Sequence, residues 1–113
     1  MSRWKALEIE KRLINLWAWL MYRNKKLLEA ARNCPCSFCG VEDGTIVAAH
    51  RNEGKGMGIK VSDALTTPLC FYCHSLVDQG KGLTREERRE MWNQAYINGM
   101  KYMIENGILK VGN

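Results

Sequence analysis

Two C-x-x-C pairs, Cys36/Cys39 and Cys70/Cys73, stand 30 residues apart in a chain of 113 residues. A two-residue gap lets one turn of backbone present both sulfurs to a single ion, and four thiolates complete the tetrahedral shell of zinc. The spacing therefore predicts that residues 36–39 and 70–73 meet around one structural zinc. A filled shell leaves no open position, so this metal is expected to hold the fold and to do no chemistry. A redox reading of the pairs would need a βαβ context that the surrounding sequence lacks. At this length one domain spanning 1–113 is expected, with a modest core that a metal staple would help.

The metal reading also needs reduced thiols. The start, MSRWKALEIEKR, is charged from its first residues and has no basic-then-apolar leader pattern. The most apolar run, Leu16 to Tyr22, is seven residues, against the roughly 20 needed to span a membrane. A cytoplasmic location is thus expected, where paired cysteines read as ligands and not as disulfides. The five cysteines leave one over. Cys34 could replace Cys36 in CPCSFC, but the 36/39 gap has the knuckle spacing.

Outside this segment the chain reads as helix. Leu13, Leu16, Trp17, Leu20, Leu27, Leu28 and Ala31 recur at helical spacing, predicting one long helix over 3–31. Ile14, Ala18, Trp19, Met21 and Tyr22 widen its apolar surface, so it must be buried on more than one side. Either the domain wraps it or a second subunit does, which makes a homodimer the alternative. Thr84 and Glu87 form a T-x-x-E capping box opening a helix over 84–106, stopped by Asn106-Gly107. Trp92, Ala95, Tyr96, Gly99, Tyr102 and Met103 are its expected buried stripe. Between the two helices, residues 34–82 hold all the cysteines and both histidines. There Thr45–Ala49 reads as a strand, RNEGKGMGIKVSD as a loop, and 71–79 as a short helix ended by Gly80.

Both histidines border this organisation. His50 closes the strand, and His74 directly follows the second knuckle. Asp78 lies four residues on, on the same face of the short helix. An imidazole and a carboxylate at that spacing are suitable ligands for Mg²⁺, Mn²⁺ or Ni²⁺. A solitary histidine is most often structural; two, each at an element end beside a knuckle, point to function. The net charge of +5 is concentrated in residues 1–33, with eight Lys/Arg against three acids. That balance fits a polyanionic partner and equally fits a solvated helix face.

The ordered set of C-x-x-C, a strand ending in His, a glycine-rich loop and C-x-x-C-H on a helix resembles the HNH nucleases, whose core is the ββα-metal finger. The stretch AAHRNEGKGMGIKVSDALTTPLCFYCHSLVDQG is similar to small phage and prophage nucleases of the YbcO type, and more distantly to the phage recombination nuclease Ref. The resemblance covers residues 34–82. It implies an α+β fold, a small zinc-stabilised ββα finger flanked by the N-terminal and C-terminal helices. It implies a DNA endonuclease, phage or prophage encoded, that hydrolyses phosphodiester bonds. By position His50 matches the general base and His74 the metal-binding histidine that opens the finger helix. Asp78 falls at a second metal ligand, and Asp63 stands near the family's middle Asn, as a further ligand of the catalytic Mg²⁺ or Mn²⁺ (Ni²⁺ or Zn²⁺ being alternatives). Gly54, Gly56, Gly58 and Lys60 match the YbcO-type loop.

The chemistry is coherent on its own terms. A neutral imidazole near pH 7 is a suitable base for water, and a cation on His74 and Asp78 could stabilise charge at the phosphate. Arg51, Lys55 and Lys60 could hold flanking phosphates, although loop lysines are as often simply solvated. One departure stands out. Many HNH enzymes have Asp or His directly before the base, whereas this chain has Ala49. The rival expectation is therefore a non-catalytic zinc-finger nucleic-acid-binding protein with a decayed site.

Overall fold

The computed structural model describes residues 22–51 and 61–112. Most of the expected N-terminal helix, together with Gly54, Lys55, Gly56, Gly58 and Lys60, lies outside the described residues. In chain order the elements are α1 (Lys25–Arg32), β1 (Val47–His50), β2 (Thr66–Leu69), α2 (Phe71–Gln79) and α3 (Arg85–Glu105). The result is a small α+β arrangement with a two-stranded sheet and three helices.

The described part of 3–31 departs from a continuous helix. Tyr22, Arg23 and Asn24 are non-helical, and Asn24 caps the start of α1 with extended backbone at φ −150°. Its side chain accepts from the Leu27 amide at 3.1 Å, the standard use of Asn at a helix start. Helical periodicity alone does not reveal such a break, because Asn24 sits between two apolar groups that share one phase.

β1 and β2 pair antiparallel, with Val47 opposite Leu69, Ala48 opposite Pro68, Ala49 opposite Thr67 and His50 opposite Thr66. β1 sits one or two residues later than the expected Thr45–Ala49, because Thr45 is held in a turn by the Asp43 carboxylate. β2 has no local signal in the sequence, since Pro68 argues against a strand. A two-stranded sheet tolerates it. Pro68 has no N–H to offer, but its carbonyl accepts from Ser37 at 2.8 Å.

α3 opens with the full capping box. Thr84 Oγ1 accepts from the Glu87 amide, and the Glu87 carboxylate accepts from the Thr84 amide. Its buried residues are Met91, Trp92, Ala95, Gly99 and Met103. Tyr102, expected in that stripe, is exposed, and Met91 takes a place in the core instead. Successive strand residues point to opposite faces. Ala49 and Leu69 therefore join Cys73, Val77, Trp92 and Ala95 in one core between the sheet, α2 and α3. His50, the next residue after Ala49, is turned away from it. Trp92 fixes that strand end by donating its indole N–H to the Ala49 carbonyl at 3.1 Å. Among the described residues no helix is long and apolar enough to cross a membrane.

Candidate metal centre and histidine site

Cys36, Cys39, Cys70 and Cys73 converge, with all four sulfurs within 4.8 Å of one another. Among the described residues they are the one such group of three or more ligand side chains. Metal–sulfur bonds of about 2.3 Å in a regular tetrahedron place the sulfurs about 3.8 Å apart; Cys39 and Cys70 stand at 3.7 Å. The donor set and spacing fit a single tetrahedral metal ion.

Local backbone builds this geometry from both sides. In the first knuckle the Gly40 amide bonds the Cys36 carbonyl, while the Cys36 amide bonds Val41. The turn requires Gly40 at φ +79°, a left-handed conformation that side chains resist. In the second knuckle Cys70 is the N-cap of α2, its sulfur accepting from the Cys73 amide. One residue thus starts the helix and offers a ligand.

Electrostatics also favour a cation. Burial opposes ionisation of Cys36, but the amides of Cys39, Cys70 and Phe38 and the Cys39 thiol bring its pKa down to about 7. Cys73 is driven the other way, by burial first and then by the thiols of Cys70, Cys36 and Cys39. A second thiolate beside the first is costly until a divalent ion sits among them. Cys34 stands apart: it is buried, its thiol bonds the Ala30 carbonyl at 3.2 Å, and burial raises its pKa.

The remaining predicted site residues form two separate pairs. On α2, His74 Nε2 and Asp78 Oδ2 are 3.4 Å apart, both side chains partly exposed. Arg88 of α3 donates to the Asp78 carbonyl at 3.0 Å and so anchors that end of α2. At the end of β1, His50 Nε2 lies 2.8 Å from Asp63 Oδ1. Asp63 does not join His74 and Asp78 in a three-ligand group. Its side chain is 5% exposed, and Oδ2 accepts from the Asn24 amide at 2.6 Å while Oδ1 also receives Arg23 at 3.3 Å. Burial works against the Asp63 carboxylate, but His50, the Asn24 amide and Arg23 together hold its pKa below the usual carboxylate range. Arg51 follows His50 and continues the ladder through its amide to Leu65.

Arg23 and Asn24 escaped sequence reading. They are about 40 positions from Asp63, and no motif links them to it. Comparison with models of known protein families, with curated proteins and with solved structures finds no match to this chain.

Proposed function

We propose that the chain is a metal-dependent DNA endonuclease of the HNH type. In this reading β1, β2 and α2 form the ββα-metal finger, and zinc on the four cysteines holds it. The observation that carries the reading is the contact of His50 with a buried, ionised Asp63 at the end of β1. A carboxylate accepting from Nε2–H fixes the imidazole in one tautomer and leaves Nδ1 as a proton acceptor. Asp63 accordingly serves as the orienting group for the base, because both its oxygens are already engaged.

The reaction uses His50 on water. Nδ1 takes one proton, the water oxygen bonds to phosphorus, and the bond to the leaving sugar oxygen breaks, that oxygen taking a proton from solvent. His74 and Asp78 would hold Mg²⁺ or Mn²⁺, which when bound supplies positive charge against the phosphate oxygens. Arg51, Lys55 and Lys60 would contact flanking phosphates, positioning the backbone without reading sequence.

Ala49 favours a second reading, a zinc finger that binds nucleic acid without cutting it. The residue is packed in the core against α2 and α3 and offers no ligand where many HNH enzymes have one. Nicking of supercoiled plasmid with Mg²⁺, Mn²⁺ or EDTA separates the two. Metal-dependent nicking lost in His50→Ala supports the nuclease. DNA binding with no nicking under any metal supports the second reading.

A further inference from the structure

Every hydrogen bond donated to the Asp63 carboxylate among the described residues comes from His50 or from the short stretch ahead of α1. The segment 22–24 runs beside 61–63. The Asp63 amide donates to the Tyr22 carbonyl at 3.0 Å, and the Asn24 amide returns to Asp63 Oδ2 at 2.6 Å. Arg23 Nη1 bridges the two stretches, reaching the Val61 carbonyl at 2.6 Å, the Tyr22 carbonyl at 3.0 Å and Asp63 Oδ1 at 3.3 Å. Oδ1 is the oxygen that meets His50 Nε2. The rotamer of Asp63 is therefore set from two sides, with Oδ2 tied to backbone and Oδ1 shared between a guanidinium and an imidazole.

We infer that Arg23 is a positioning residue: acting through Asp63, it holds His50 with Nε2–H bonded and Nδ1 free to accept a proton. The assignment rests on the reading of His50 as general base. Its physical basis is that without the guanidinium Oδ1 is held by the imidazole alone, and a carboxylate oxygen held less firmly specifies the imidazole tautomer less strictly. The competing role for Arg23 is a clip that ties residues 22–24 to the 61–63 loop. Such a clip would affect stability and leave the imidazole as it is. Asn24 contributes through its amide, so the part played by Oδ2 survives side-chain substitution at Arg23.

The test reads the imidazole directly, without DNA, on full-length protein labelled with ¹⁵N-histidine and loaded with zinc. Long-range ¹H–¹⁵N correlations report the His50 tautomer, and water-exchange measurements report the lifetime of its Nε2 proton. In the unmodified chain His50 should be Nε2-protonated with a slowly exchanging proton. In Arg23→Gln that proton should exchange about tenfold faster, since one charge-assisted partner of the carboxylate is gone. A measurable Nδ1–H population should appear with it. Arg23→Lys keeps the charge on a chain one atom shorter, so a smaller change of the same kind is expected. It decides the matter on the same readout if Arg23→Gln does not fold. Unchanged tautomer and exchange in the folded variants, with only a lower melting temperature, would overturn the assignment and leave Arg23 a clip.

Nicking supplies the second arm. Arg23→Gln should lower kcat about tenfold at nearly constant KM. If the imidazole responds but no variant ever nicks DNA, the positioning stands and the nuclease reading fails.

Discussion

Trp92 of α3 donates its indole N–H to the carbonyl of Ala49, the residue immediately before His50, in a bond shielded from solvent. The same ring stacks on Tyr96 with centroids 5.0 Å apart, and Tyr96 in turn donates to the Ala64 carbonyl at 2.8 Å, next to Asp63. One turn of α3 thus grips both sides of the His50–Asp63 pair. Trp92→Phe keeps an aromatic ring and removes the indole donor, while the Ala49 carbonyl keeps its ladder partner Thr67 on β2. The expected loss is about 0.5–1.5 kcal/mol, read by urea unfolding of zinc-loaded protein. No measurable change would mean that the indole bond adds nothing to the hold on this strand end.

Gly99 gives a prediction in which two effects oppose. Alanine is the better helix former by about 1 kcal/mol in an open helix. Here a Cβ would stand 2.7 Å from both Ser37 Oγ and Thr67 Oγ1, and 3.3 Å from Pro68 Cδ. Ser37 could rotate, but Thr67 is fully buried and its hydroxyl is committed to the Ala95 carbonyl. Steric cost should win, so Gly99→Ala is expected to lower stability by about 1–3 kcal/mol. A melting temperature equal to or above that of the unmodified chain would show that α3 can lift off β2 without penalty.

Local chemistry accounts for which parts of this arrangement were legible beforehand. The capping box at Thr84, the stop at Gly80 and the knuckle spacing are each written within a few residues, and each appears where the sequence places it. Two features are not local. The break at Tyr22–Asn24 depends on the reach of residues 22–24 to Asp63, and the orientation of Asp63 toward His50 depends on that same contact. Asp63 read as a metal ligand because a carboxylate in a loop before a knuckle has the right chemistry for one. What decides its partners is the fold around it, and that is set by residues some 40 positions away.

The depressed pKa of Asp63 makes a pH prediction with a definite sign. A carboxyl whose folded pKa lies below its unfolded value, about 3.9, adds stability that is fully present above that value. The contribution disappears as pH falls through the folded pKa. Asp63→Asn removes the titration. The gap in unfolding free energy between the unmodified chain and Asp63→Asn should therefore be largest above about pH 5 and should shrink toward pH 3. The comparison is read down to the pH at which either chain releases its metal, because metal release itself unfolds the site. A gap that stays constant across that range would mean that the Asp63 charge adds nothing to folding.

The cysteines should divide cleanly. Purified protein is expected to carry one zinc per chain, and Cys36→Ser or Cys70→Ser should release it and unfold the segment around it, because metal-binding free energy is folding free energy in such sites. Cys70→Ser should lose the metal no more readily than Cys36→Ser, since a serine at 70 still caps α2 and only the ligand is gone. Cys34→Ser should keep the metal, and a serine hydroxyl can repeat the bond to the Ala30 carbonyl. Metal analysis with circular dichroism checks all three. Loss of zinc from Cys34→Ser with retention in Cys36→Ser would reverse the ligand assignment.

The proposed base and ligand roles are separable because His50 and His74 belong to different pairs. His50 contacts Asp63 and lies on the side of β1 away from the core, so His50→Ala should abolish nicking while leaving DNA affinity and Mn²⁺ binding nearly unchanged. His74 faces Asp78 on α2 and directly follows a cysteine of the four-cysteine group, whose four sulfurs would complete a tetrahedral shell without it. His74→Ala should thus weaken Mn²⁺ binding about tenfold or more and spare the structural zinc. Asp78→Asn should act in the same direction more mildly, since one oxygen donor survives the loss of charge. Calorimetric titration of Mn²⁺ into zinc-loaded protein measures each variant. Release of the structural zinc by His74→Ala would assign the histidine to the knuckle, and the proposed nuclease would then have no site for its catalytic cation.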